Sequence, residues 1–154
     1  MKNILLICCV ALLASCTAQR NYTGVINETN GKVGIGTNTP DELLTVKGKI
    51  HTQEVLVDLN GAVAPDYVFE RYFSGASESK PEYRMLSLTE LETYLTKNHH
   101  LPEVPSAEAL AKEGMELKKF NLVLLQKIEE LTLYTIEQQK LIESLSEKIE
   151  KLEK

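Results

Sequence analysis

Cysteine is confined to the first 16 residues of this 154-residue chain, at Cys8, Cys9 and Cys16, and tryptophan is missing altogether. A body without cysteine has neither a disulfide framework nor a cysteine-based structural zinc site. An excess of positive charge is missing as well. Seventeen Lys+Arg stand against 22 Asp+Glu, a formal net charge of −5, which speaks against general nucleic-acid binding. Long apolar runs are also lacking. The run from Ile4 to Leu13 is about ten residues, and a membrane-spanning helix needs ~20. With this length and composition the chain is a small soluble body preceded by an export segment.

Groups able to carry chemistry are few. Gly34-x-Gly36 lacks the third glycine of a dinucleotide fingerprint and does not open a helix, so it is not read as a phosphate cradle. His99-His100 is the only histidine cluster; adjacent histidines point apart, and no third ligand follows at a metal-binding spacing. They read as the C-terminal pair of a helix, favoured there by its dipole, with His100 folded toward the Leu101-Pro102 turn. The acidic residues Glu129, Glu130, Glu143, Glu147, Glu150 and Glu153 alternate with Lys127, Lys140, Lys148 and Lys151, the pattern of a solvated helix face. Tyr67, Phe69, Tyr72 and Phe73 form the one aromatic concentration, read as core, with a carbohydrate platform as the alternative. No triad, P-loop or metal site is present in this reading, so neither enzymatic activity nor a cofactor or metal is expected.

At the N-terminus, Lys2 precedes the apolar run and small residues follow it, the layout of a signal peptide over residues 1–15. Leu13-Ala14-Ser15-Cys16 resembles the lipobox of bacterial lipoproteins. That resemblance implies lipidation at Cys16 and anchoring of the exported protein to a membrane of the cell envelope. The alternative is ordinary cleavage after Ala18 and a secreted product.

Residues 16–32 are polar and without apolar periodicity, the composition of a flexible tether. Residues 33–73 read as β-rich. Leu43 to Val46 and Ile50 to Leu59 are predicted strands joined by a tight turn at Lys47-Gly48, with further turns at Asn38-Thr39-Pro40 and Asn60-Gly61. Residues 74–116 read as a loop and two short helices. The first is opened by the Ser87-Leu88-Thr89-Glu90 capping box and ends near Asn98. The second is opened by Pro105-Ser106 and closed by Gly114 as a left-handed cap. The expected fold class is therefore α+β: short hairpins or intertwined strands, two short helices, then a long C-terminal coiled-coil helix over residues 117–154.

That last segment carries heptads. Ile128, Ile142 and Ile149 fall at position a, and Leu117, Leu124, Leu131, Leu145 and Leu152 at d, with polar interruptions at Asn121, Thr135 and Gln138. From Leu117 to Leu152 the helix runs about 54 Å, longer than the preceding body covers. One helix alone leaves these eight side chains in water, each contributing roughly 1.5–3 kcal/mol if buried. Parallel self-association is the expected solution, and these eight residues are the expected oligomerisation site. Ile at a with Leu at d favours two strands. Apolar Phe120, Tyr134 and Leu141 at g and Leu125 at e widen the stripe toward a broader bundle, so a homotrimer is expected with a dimer as runner-up. Parallel pairing sets Lys148 at g against Glu153 at e, a small attraction.

Two stretches carry a family resemblance. Gly31-Lys32-Val33-Gly34-Ile35-Gly36-Thr37-Asn38-Thr39-Pro40, continuing through Leu43, Val46 and Gly48, is similar to a segment of phage tail-fibre and bacterial tail-fibre-domain proteins. Asp66-Tyr67-Val68-Phe69, His100-Leu101-Pro102-Glu103-Val104-Pro105-Ser106 and Lys127 to Tyr134 resemble the C-terminal region of exported tail-fibre-like proteins of Bacteroidetes. The resemblance implies a homotrimeric, fibre-like structural protein with intertwined strands. Gly34 and Gly36 would then let three backbones approach at an axis. Some tail-fibre relatives end in a self-cleaving chaperone with a Ser-Asp-Arg-x-x-Lys motif; that motif is absent here, and no protease activity is carried over. The alternative function is an envelope lipoprotein that recognises a glycan or protein partner, the coil serving avidity.

Overall fold

Asn30 and Gly31 have φ of +54° and +74°, the two positive values that a two-residue type I′ turn requires. They join strand β1, Ile26–Thr29, to strand β2, Lys32–Ile35, in an antiparallel hairpin with Ile26 opposite Ile35 and Thr29 opposite Lys32. In this computed structural model, which describes residues 25–153, the chain forms two units, one up to Val55 and one from Leu56. The hairpin corrects the expectation of a structureless tether for residues 26–32; residues 16–24 of that tether lie outside the described residues. Asn-Gly is itself a hairpin signal, and the polar flanks hid it.

A third strand, β3, Leu44–Val46, pairs with β2 in parallel, Gly34 lying opposite Thr45, so the sheet order is β1-β2-β3. Residues 36–43 turn back between them. Buried Thr45 organises that loop: its hydroxyl donates to Asp41 Oδ1 at 2.6 Å and accepts the N–H groups of Asp41 and Glu42 at 3.1 Å each. The hydrogen bond from Thr45 is the main reason the Asp41 carboxyl sits below its ordinary pKa. Gly34 faces this loop so closely that a Cβ there would lie 2.4 Å from the Thr37 carbonyl oxygen, and one on Gly36 would lie 3.0 Å from that of Lys47. These two glycines permit close approach of backbone within the chain.

Two further expectations for the β-rich segment are overturned. Lys47 N–H continues the β2–β3 pairing by donating to the Ile35 carbonyl at 2.9 Å, so Lys47-Gly48 does not turn a hairpin. Residues 50–59 form no strand. A strand exists only through its neighbour's backbone, and this stretch instead makes local bonds, Thr52 Oγ1 to the Glu54 carbonyl and Val55 N–H to Glu54 Oε1.

The second unit is helical. Helix α1, Tyr67–Ser74, replaces the β structure expected at the end of the 33–73 segment. Its aromatic content is strand-like, but Asp66 stands at its N-cap and Gly75 ends it in a left-handed conformation at φ +78°. Helix α2, Leu88–Asn98, opens with both halves of the predicted capping box. Arg84 adds two bonds to the same Glu90 carboxylate at 3.0 and 3.1 Å. These contacts, the Arg84 bond foremost, hold the Glu90 carboxyl at about 2. Helix α3, Ala107–Glu113, is capped by the Ser106 hydroxyl. Gly114 ends it with φ +80° but ψ −169°, a conformation open to glycine rather than the left-handed helical cap expected. Helix α4, Leu117–Leu152, is the long one. Among the described residues there are thus three short helices before it, one more than the sequence predicts.

The core gathers where α1 packs on α4: Tyr67, Val68, Tyr83 and Leu133, with Phe69, Tyr72 and Met85 against them. The Tyr67 and Tyr83 rings meet at 4.9 Å, tilted by 56°, a favourable aromatic geometry. The Tyr134 hydroxyl donates to the Leu86 carbonyl at 2.5 Å, fastening the chain before α2 to the same helix.

Candidate functional site

Helix α4 has two working faces. The buried one comprises Gln126, Glu129, Leu133 and Tyr134. At 100° per residue Leu133 lies about 140° around the helix from Ile128, so the chain covers the side roughly opposite the heptad seam. Leu117, Leu124, Ile128, Leu131, Ile142, Leu145, Ile149 and Leu152 are all exposed, from 37% at Leu124 to 87% at Leu152. Beyond Tyr134 every described residue of the helix is exposed. Most helical stability in proteins comes from packing of an apolar face, and this stretch has none within its own chain.

The buried face is notable for being polar. Gln126, 2% exposed, accepts from the Tyr67 hydroxyl at 2.7 Å and donates its amide to Glu103 and to Glu130 Oε1. Lys80 reaches the Tyr67 oxygen at 3.2 Å and Glu103 at 3.4 Å. Lys127 bridges Glu103 at 3.3 Å and Glu130 at 3.0 Å, and the Tyr83 hydroxyl donates to Glu130 at 3.0 Å. Every charge in this network has an opposite or a hydrogen-bond partner, which is what burial of charge demands. Burial alone would raise the Glu103 pKa; the Gln126 amide and the Lys127 and Lys80 charges outweigh it, and the net direction is down. Burial would lower Lys80, but Tyr67 and Glu103 turn it upward. Tyr83 and Tyr134 are pushed up by burial and by the neighbouring Glu130 carboxylate.

Glu103 is held by backbone as well. Val104 N–H donates to the Leu101 carbonyl at 3.1 Å, closing a turn with Pro102 second and Glu103 third at φ +64°. Glycine is usual at such a position. A glutamate occupies it here with its carboxylate among Lys80, Gln126 and Lys127. Against this satisfied set stands Glu129, 6% exposed, whose Oε2 is buried without a hydrogen-bond partner. Burial, then the charge of Asp66, raises its pKa.

The remaining candidates fall into place singly. Cys16, the expected lipidation site, and the signal peptide lie outside the described residues. His99 caps α2 in a left-handed conformation, and His100 stacks edge-on against Tyr94 at 5.8 Å with its Nδ1 3.0 Å from the Leu101 carbonyl. Among the described residues no group of three His, Cys, Asp or Glu is placed to hold a metal, and no helix is long and apolar enough to cross a membrane. Of the aromatic concentration, Tyr67 is core, Phe69 and Tyr72 pack against it, and Phe73 is exposed. Glu130 and Glu129, read in the sequence as solvated acids, belong instead to the buried face. Sequence reasoning also passed over Gln126; its one signal is a polar residue facing Leu133, one heptad away on the same side. No protein-family model, curated protein or solved structure matches the chain, so the functional reading stands on the two faces of α4.

Proposed function

We propose that the chain is a non-enzymatic, exported structural protein, a tail-fibre-like module that assembles as a parallel homotrimer through α4, with Cys16 as its envelope anchor. The observation that carries this reading is the division of α4: its own unit occupies the face around Gln126 and Leu133, and the heptad seam is left to solvent. Eight large apolar side chains at a and d, each contributing roughly 1.5–3 kcal/mol on burial, supply a driving force that the single chain leaves unused. Their seven-residue repeat is matched by another helix of the same repeat. The network on the opposite face supports a structural role, since its charges are satisfied by one another.

Sedimentation of the full chain tests it. The expected result is a particle of three chains at micromolar concentration, and conversion of an Ile142→Asp, Leu145→Asp double variant to single chains whose α1–α4 core still melts cooperatively. Two chains would revise the stoichiometry to the dimer. A wild-type protein that stays single across the micromolar range overturns the reading.

A further inference from the structure

Near the start of the α4 heptads, both flanks of the seam carry a large apolar residue, Phe120 at g and Leu125 at e. Five positions apart, they lie about 140° from one another around the helix, so they do not meet within one chain. The structure sets them apart from the other apolar flank positions. Tyr134, also at g, is buried in its own chain with its hydroxyl on the Leu86 carbonyl. Phe120 is half-buried. With Ala109 and Leu110 of α3 and Val123 of α4, it lines an open cavity of about 130 Å³. Lys119 at f and Val123 at c share that cavity, which places it on the side of Phe120 away from the seam. Leu125 is 43% exposed.

We propose that Phe120 of one copy and Leu125 of the next form the lateral anchor of the assembly. The inference rests on parallel self-association through α4 and names the side chains that meet beside the seam. In a parallel coil a g residue faces the e residue five positions farther along its neighbour. The pairs are then Phe120–Leu125, Lys127–Thr132, Tyr134–Gln139, Leu141–Ser146 and Lys148–Glu153. The first joins two large apolar side chains and the last joins opposite charges, so both ends of the rod favour one register. Between them, Lys127 is held in its own chain by Glu103 and Glu130, and Leu141 faces a serine. A half-buried ring beside α3 has less freedom left to lose when a neighbour covers it. In a closed ring of copies each chain offers Phe120 to one neighbour and Leu125 to the other, so the contact repeats at every interface.

A double-mutant cycle on the full chain decides the matter, with association read by sedimentation. Leu125→Ala is expected to weaken association about tenfold or more in the wild-type background. In a Phe120→Ala background the same change should cost much less, because the side chain it meets is already gone. Thr132→Ala, on the same flank, should change association little in either background. Proximity is read separately, in a chain with Cys8, Cys9 and Cys16 changed to Ser. Phe120→Cys and Leu125→Cys variants, prepared apart, mixed and re-associated, are expected to join between chains through a short bis-maleimide. Leu125→Cys mixed with Lys148→Cys, which the register holds far apart, is the control. Equal losses in the two backgrounds, or a 120–125 link no stronger than the control, overturn the anchor while leaving self-association in place. If the wild-type protein sediments as single chains, the assembly reading itself falls and the anchor with it.

Discussion

The Tyr67 hydroxyl donates a 2.7 Å hydrogen bond to Gln126 Oε1, joining the start of α1 to α4 across 59 positions. Both residues are buried. Tyr67→Phe keeps the ring against Tyr83 but leaves Gln126 with a buried, unanswered acceptor and removes an oxygen that Lys80 contacts. The expected loss is about 1–2 kcal/mol, read from denaturant unfolding of the full chain. An unchanged midpoint would show that water replaces the hydroxyl.

Glu129 makes the opposite prediction. Its folded pKa lies above the ordinary 4.5, so the folded state binds its proton more tightly than the unfolded one does. The penalty is absent below the ordinary carboxylate range, grows as pH rises through the folded pKa, and is complete at neutral pH. Glu129→Gln is therefore expected to stabilise the protein by about 1 kcal/mol at pH 7, with the gain vanishing toward pH 4. Thermal melts at both pH values check it.

Glu103 titrates with the reverse sign. Its folded pKa lies below 4.5, so its contribution is full above the unfolded pKa and is lost as pH falls through the folded one. Glu103→Gln is expected to cost about 0.5–1 kcal/mol at pH 7, the carboxylate being partly exposed and screened, and nothing in strong acid. A pH series of unfolding midpoints for the two proteins should converge at the acid end.

Gly34→Ala brings a methyl carbon within 2.4 Å of the Thr37 carbonyl oxygen, a clash only backbone movement relieves. The expected cost to the three-stranded sheet is about 1–3 kcal/mol, seen as faster amide exchange in β1, β2 and β3. Gly48→Ala, which meets nothing within 4 Å, is the matched control and should leave exchange unchanged.

The helical half was legible in the sequence because its signals are local. The Ser87–Glu90 box, Ser106 and Gly114 mark ends by chemistry confined to one turn, and the heptads mark α4 by repetition. The β half was not. β3 pairs with β2 through a register that residues 44–46 do not announce, and Ile50 to Leu59 has strand composition without a partner backbone. α1 was misread because aromatic residues suit strands and helices alike, while Gly75, which ends the helix in a left-handed conformation, carried the deciding information. In the candidate site the heptad seam was readable and the Gln126 network was not. Periodicity registers apolar residues, and the body docks on α4 through an amide, two tyrosine hydroxyls and paired charges.

The body grips α4 through Gln126, Leu133 and Tyr134 while Ile128, Leu131 and Leu145 look away, so under the proposed self-association folding and copy number would answer to different sets of side chains. Evolution or an engineer is then free to retune stoichiometry along one stripe of the rod, as one changes the plug on a cable, with the wiring of the globular end left as it was.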